Sequence, residues 1–244
     1  NYIMSIVYVS DRFGISFADV TTGDYFVTEV DSARKLMDEM YKFSSREVVC
    51  NEALMMSGID FQDMKDRLGF TMYSLENWYF DDDLCRQGLL DHFHVKSLEG
   101  LGVSDFGCGI IAAGALLRYL TETQKTSLAH LSKLIPYVSG NYMVIDSSSR
   151  RNLELVETLR EKQKRGSLLW VLDKTRTAMG ARTLRGYLEQ PLIDREEIER
   201  RLNAIEELNS QMITREELRE YLSPIYDLER LIGRISYQTA NPRD

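Results

Sequence analysis

Apolar positions alternate with polar ones through the first thirty or so residues, then recur at helical spacing through most of the last hundred. Three early runs, IMSIVYVS, RFGISFADVTT and DYFVTEV, are rich in Ile, Val, Phe, Tyr and Thr. The breaks at Ser10-Asp11 and Thr22-Gly23-Asp24 are short enough for hairpins, so the pattern predicts an antiparallel three-strand meander. Asp31 is the expected N-cap of a following helix whose face carries Leu36, Met37 and Met40. EVVCN is then expected as a short buried strand, and MKDRLGFTMYSL as a helical turn leading into another strand. Helix alternating with strand after a meander predicts that the later strands join the sheet in parallel.

FDDDLCRQGLLDHFHV has helical period, with Asp81, Asp82 and Asp83 at the end where the helix dipole is positive. A long, mostly buried helix is expected from Gly107 to Gln124. Pro136 and Gly140 then break the pattern around a last short strand. The expected organisation is an α/β domain over 1–125, a linker over 126–141 and an all-α segment over 142–244.

In the segment opened by Asp146, SSRRNLELVETLREK is expected as a helix with Leu153, Val156 and Leu159 on one face. SLLWVLD and MGARTLRGYLEQ form two further elements, the second ended by Pro191. Asp194 with Glu197 makes a capping-box pattern ahead of the stripe Ile198, Leu202, Ile205 and Leu208. Thr214 with Glu217, and Ser223 with Pro224, are the expected starts of two more helices. The ending NPRD, with no closing element, is expected to continue into residues outside this chain, as the opening Asn1 is expected to follow others.

Composition narrows the function classes. The 244 residues are long enough for two compact domains, and no apolar run is long enough to cross a membrane; GCGIIAAGALLRYL is interrupted by Arg118. Nothing at the N-terminus reads as a secretion leader, and three widely spaced cysteines, Cys50, Cys85 and Cys108, fit reduced thiols of a cytoplasmic protein. The net charge of −8 is uneven: residues 1–105 carry 9 basic and 19 acidic side chains, residues 106–244 carry 21 and 19. An acidic front half repels a phosphate backbone, so any contact with nucleic acid falls to the back half.

Sequence signatures of catalysis are missing. GCGIIAAG has the wrong third spacing for a dinucleotide loop, and neither GxxxxGK[ST], HExxH nor GxSxG occurs. His92 and His94, two apart, point to different faces of a helix and make a poor metal pair. The meander followed by alternating elements resembles the ribonuclease H architecture, whose nucleases hold two metals on carboxylates, one from the first strand; IMSIVYVS has none. A metal-dependent nuclease is therefore the weaker alternative. A second alternative is an autonomous duplex-binding module using Arg150, Arg151, Lys162, Lys164 and Arg165; Glu interleaved with these residues instead suggests a solvated face.

Three ordered stretches carry a resemblance. MVIDSSSRRNLEL (143–155), GSLLWVLDKTRTAMGARTLRGYLEQPLIDREEIERRLNAIEEL (166–208) and DLERLIGRISYQTANPRD (227–244) are similar to the MutS family of DNA mismatch repair proteins. FGISFADVTTGDYFVTE (13–29) and LRYLTETQKTSLAHL (117–131) resemble that family's connector domain. The resemblance implies a ribonuclease H-like connector without nuclease activity, followed by the first part of a helical core or lever domain. It also implies a dimeric parent that binds mismatched double-stranded DNA, uses ATP and magnesium, and recruits MutL. The family's phenylalanine-x-glutamate wedge and phosphate loop do not occur in these residues, so no cofactor is expected here. The resemblance assigns MutL binding to the helix holding Arg86 and Gln87, although Gly88 stands where the family often has a second polar residue.

Overall fold

The computed structural model describes residues 2–124, 128–137, 142–143 and 145–236. The chain divides into two compact units, one of Asn1–Val138 with Glu229–Asp244, the other of Ser139–Leu228.

The first unit is built on a six-stranded mixed sheet in the order β5-β4-β1-β2-β3-β6. The meander is present as β1 (Tyr2–Val9), β2 (Arg12–Asp19) and β3 (Asp24–Val30). The β1–β2 link is a two-residue turn with both Ser10 (φ 49°) and Asp11 (φ 61°) left-handed, the backbone hand that matches the twist of paired strands. After α1 (Ala33–Phe43), β4 (Glu47–Cys50) joins β1 in parallel, and β5 (Thr71–Ser74) joins β4 in parallel, as the alternation predicts. Two short helices, α2 (Glu52–Met55) and α3 (Gln62–Leu68), lie between them in sequence. The cap of α1 is Ser32 rather than Asp31: the Ser32 hydroxyl accepts from Lys35 N, while Asp31 pairs with the Lys35 ammonium at 2.7 Å.

Register fixes which face each side chain covers. The pairs Met4↔Phe17, Ile6↔Ile15 and Phe17↔Phe26 direct one set of alternate residues into a cluster with Leu36, Met40, Leu54, Met64 and Phe70. Ala18, Tyr25 and Val27 pack instead with Ile110, Ala113, Leu116 and Leu120 of α5 (Cys108–Gln124). Both faces being covered, β1 reads as a nearly continuous apolar run. Tyr25 is fully buried, and its hydroxyl donates to the Ala113 carbonyl at 2.5 Å.

The stretch 126–141, expected as a linker, is part of this unit where it is described. Leu128, Leu131 and Leu134 are buried with α5, and β6 (Ile135–Pro136) pairs in parallel with β3, with Tyr137 N donating to Val27 O at 3.0 Å. Pro136 is tolerated because β6 is an edge strand. Gly140 and Asn141 lie outside the described residues.

The second unit is largely helical: α6 (Ser147–Asn152), α7 (Leu168–Leu172), α8 (Ala178–Glu189), α9 (Arg195–Ser210) and α10 (Met212–Leu222); α11 (Leu228–Ser236) comes next in sequence and, after Leu228, is counted with the first unit. The cap expected at Asp194 is present, accepting from Glu197 N, and Asp146, which opens the segment, caps α6 by accepting from Ser149 N. Three expectations fail. The helix over 148–162 stops at Asn152, because Glu154 takes φ 47° and Lys162 φ 48°; Leu155, not Leu153 or Leu159, is buried. Thr214 lies inside α10, whose cap is Gln211. Ser223 closes α10 instead of opening a helix, and Pro224 sits in the turn before α11.

Candidate protein-docking surface

The helix predicted over FDDDLCRQGLLDHFHV is α4 (Asp82–Phe93). Asp81 caps it, accepting from Leu84 N at 2.9 Å, and Asp82 and Asp83 occupy the first turn, where the helix dipole favours carboxylates. Cys85 and Leu89, four residues apart, anchor one side of α4 in the unit. The approach to α5 is close enough that a side chain at Gly114 would meet Cys85 Cβ at 2.4 Å and its Cα at 2.5 Å. Burial pushes the Cys85 thiol up to about 12, and likewise Cys108, with Cys50 raised to about 11. All three are free thiols and remain protonated near neutrality, which removes them as nucleophiles.

The opposite side of α4 faces solvent. Gln87 is exposed and donates through Nε2 to Asp91 Oδ1 at 2.7 Å. Arg86 is half-buried, its Nε shared between the two Asp82 oxygens at 2.8 and 2.9 Å. These i,i+4 pairs hold both side chains along the helix surface on a backbone whose other side is locked. Just before α4, Asn77–Phe80 forms a 3-10 turn that exposes Trp78. Arg118 of α5 stacks over that indole at 5.3 Å and donates to the Trp78 and Leu84 carbonyls. Sequence reading noticed Arg118 only as a break in an apolar run; its contact with Trp78 depends on tertiary structure.

A second missed residue is Glu29, on β3. Its carboxylate accepts from Gly109 N at the first turn of α5, 2.8 Å away, and pairs with Arg12 at 3.2 Å. It acts as an N-terminal cap supplied from another element. A single Glu closing an apolar strand was the available signal.

The histidines fix backbone rather than metal. His92 Nε2 contacts the Leu131 carbonyl at 2.8 Å, His130 Nε2 contacts the Val20 carbonyl at 2.7 Å, and His94 caps α4 in the left-handed region. Among the described residues no three His, Cys, Asp or Glu side chains converge as a metal site. Burial lowers the His130 pKa below its ordinary 6.5. A base depressed in the folded state contributes stability above its unfolded pKa and loses it as pH falls, so the first unit should weaken below pH of about 6.5. His130→Gln should flatten that dependence in urea titrations at several pH values; an identical slope in the variant would refute the assignment.

The five basic residues considered for DNA lie in the second unit, where Arg150 and Lys164 make the following contacts. Arg150 Nη2 donates to the Glu189 carbonyl at the end of α8, at 3.0 Å. Lys164 pairs with Asp173 and, with Thr175, holds that carboxyl down to about 2. Arg151, Lys162 and Arg165 are exposed, the last two on the irregular stretch after α6. Trp170 and Tyr187 are both about half exposed; Arg201 lies over the Tyr187 ring at 3.7 Å.

The chain thus joins, in sequence, a mixed α/β unit that carries a solvent-facing polar helix to a largely helical unit. Comparison with known proteins gives the family. Residues 1–132 match the model of MutS domain II and residues 148–244 that of MutS domain III. Over its full length the chain is 59% identical to the DNA mismatch repair protein MutS of Lachnoclostridium phytofermentans. The corresponding identities are 44% for Alkaliphilus metalliredigens and 41% for Clostridium novyi. The chain belongs to the MutS family. It spans between 26% and 28% of the length of these relatives. Among the described residues no helix is long and apolar enough to cross a membrane.

Proposed function

We propose that these residues are the connector and the first part of the helical core of a cytoplasmic, dimeric DNA mismatch repair protein. In this reading they relay conformational change between mismatch recognition and an ATPase, and present the surface that recruits MutL. The observation that carries it is the colinear match of both domains across the chain. The strand order β5-β4-β1-β2-β3-β6, with β2 antiparallel to both neighbours, supports a ribonuclease H-like connector. β1, YIMSIVYV, carries no carboxylate, which argues against a nuclease using that fold. Packed helices suit relay work because their interfaces have a few discrete arrangements.

ATP and magnesium belong to the parent. No phosphate loop occurs among the 244 residues, so no step of nucleotide chemistry is assigned to them. Mismatched duplex DNA is likewise bound by the parent; Arg151, Lys162 and Arg165 would touch its backbone only where the parent brings it near.

For MutL, Arg86 and Gln87 are the expected contacts, on the exposed side of a helix whose other side is buried. The double substitution Arg86→Glu and Gln87→Glu should reduce MutL capture at least about tenfold, with the thermal midpoint of the chain nearly unchanged. Capture at the unsubstituted level in a biosensor assay would overturn the assignment.

A further inference from the structure

The last described stretch of the first unit is held in two different ways. Leu128, Leu131 and Leu134 are buried against α5, His92 Nε2 contacts the Leu131 carbonyl, and His130 Nε2 contacts the Val20 carbonyl. Beyond Leu134 the hold is slight. Ile135, Pro136 and Tyr137 are only half-buried, β6 has two residues, and Pro136 has no N–H to give the sheet. Tyr137 N donates to Val27 O, and the Tyr137 side chain then reaches across to α1. There its hydroxyl donates to Glu39 Oε2, and the Lys42 ammonium lies 3.6 Å from the same oxygen. That ammonium also stands over the Tyr137 ring at 4.4 Å and the Phe43 ring at 5.0 Å. Only 9% of the Glu39 and of the Lys42 side chain is exposed, so the phenol closes over a shielded ion pair.

Glu39 and Lys42 are three residues apart on one helix and keep each other when the phenol leaves. Departure therefore strands no single buried charge, and water can take the place of the hydroxyl. A contact of this kind opens and recloses, whereas drawing out Leu131 or Leu134 would open the core. We propose that residues 135–137 are a releasable strap: unlatching of Tyr137 from Glu39 and Lys42 peels β6 from β3 and lengthens the chain that joins the two units. The next described anchors are Tyr142, bridged to Leu192, and Met143, whose N donates to Pro191 O at 2.8 Å. From Tyr137 to Tyr142 the chain reaches at most about 17 Å; from Leu134 it reaches about 28 Å. Release thus adds about 10 Å of reach between the units while Leu134 stays seated. The strap is a property of these 244 residues and does not depend on the relay or docking reading.

Amide exchange followed by NMR in the 244-residue chain reads the latch. The Tyr137 amide should exchange at least about a hundredfold faster than amides of the central strands β1 and β2. In Tyr137→Phe, which keeps the ring and loses the hydroxyl, it should exchange about tenfold faster again. Lys35→Met, which removes the exposed pair with Asp31 on the same helix, should leave that rate unchanged, and the Leu131 amide should keep its rate throughout. If Tyr137 exchanges only together with the central strands, or Tyr137→Phe does not speed it, there is no strap. Spin labels on Asp63→Cys and Arg195→Cys, exposed on α3 and α9, read the reach, the native cysteines being buried. Ile135→Gly with Tyr137→Ala should extend the distance distribution between them by up to about 10 Å. An unchanged distribution would overturn the proposal. So would loss of Leu131 protection in that variant, since residues 135–137 would then be part of the core.

Discussion

Gly14→Ala is expected to unfold the first unit or to destabilise it by about 3 kcal/mol or more in urea titration, the upper end for inserted bulk in a packed core. The added methyl would stand 2.1 Å from the Cys108 carbonyl oxygen, 2.2 Å from its carbon and 2.6 Å from Gly109 N. All three are backbone atoms at the first turn of α5, so no side chain can rotate away. Relief would come only by lifting α5 from β2, which breaks the 2.8 Å bond from Gly109 N to Glu29 and opens the layer formed by Ile110, Ala113 and Leu116. The same one-methyl change at Gly88 should instead raise stability by about 1 kcal/mol, since only helix propensity is altered. Equal effects at the two positions would refute this account of the α5 contact.

The second large effect is expected in the helical unit. Arg182 of α8 makes a two-pronged pair with Asp227, both N···O distances being 2.7 Å. The side chains are 30% and 18% exposed, whereas those of Arg195 and Glu199 on α9 are 87% and 53% exposed. Removing one partner of a shielded, bidentate pair leaves the other charge incompletely solvated. Arg182→Ala should therefore lower stability by about 2 kcal/mol, less than for a fully buried pair because water still reaches it. Arg195→Ala should change it by under about 0.5 kcal/mol. A double-mutant cycle over Arg182 and Asp227 with negligible coupling would refute the distinction.

What could be read from the sequence was local. The meander, the parallel strands, α4 and the cap at Asp194 follow from alternation, helical spacing and a side chain that bonds its own next turn. The misreadings arose where local signals competed. LELVETLREK has helical period, but Leu168 N and Leu169 N bond the Glu154 and Leu155 carbonyls, so tertiary pairing replaces helix there. Thr214 looked like a cap because no Gly or Pro marks the α9–α10 junction; the backbone turns at Gln211 with φ −109° and ψ 71°.

Arg86 and Gln87 were proposed through resemblance; on α4 Gln87 is exposed and Arg86 half-buried. The contacts of Arg118 with Trp78 and Leu84 were not legible, because they join segments between thirty and forty residues apart. In the basic stretch Arg151, Lys162, Lys164 and Arg165 are exposed and Arg150 is half-buried. That Arg150 and Lys164 engage Glu189 and Asp173 is a property of the folded unit, which charge spacing alone does not contain.

The parallel strand β6 carries a consequence for synthesis. Phe26 pairs with Ile135, so more than a hundred residues must leave the ribosome after β3 before that side of the sheet has its final neighbour. During that interval the nascent sheet presents an open strand at β3, and the chain emerging next supplies α1, β4 and β5, which extend the sheet on its other side, beside β1. The β3 edge is thus the last side of the sheet to be closed as the chain is made.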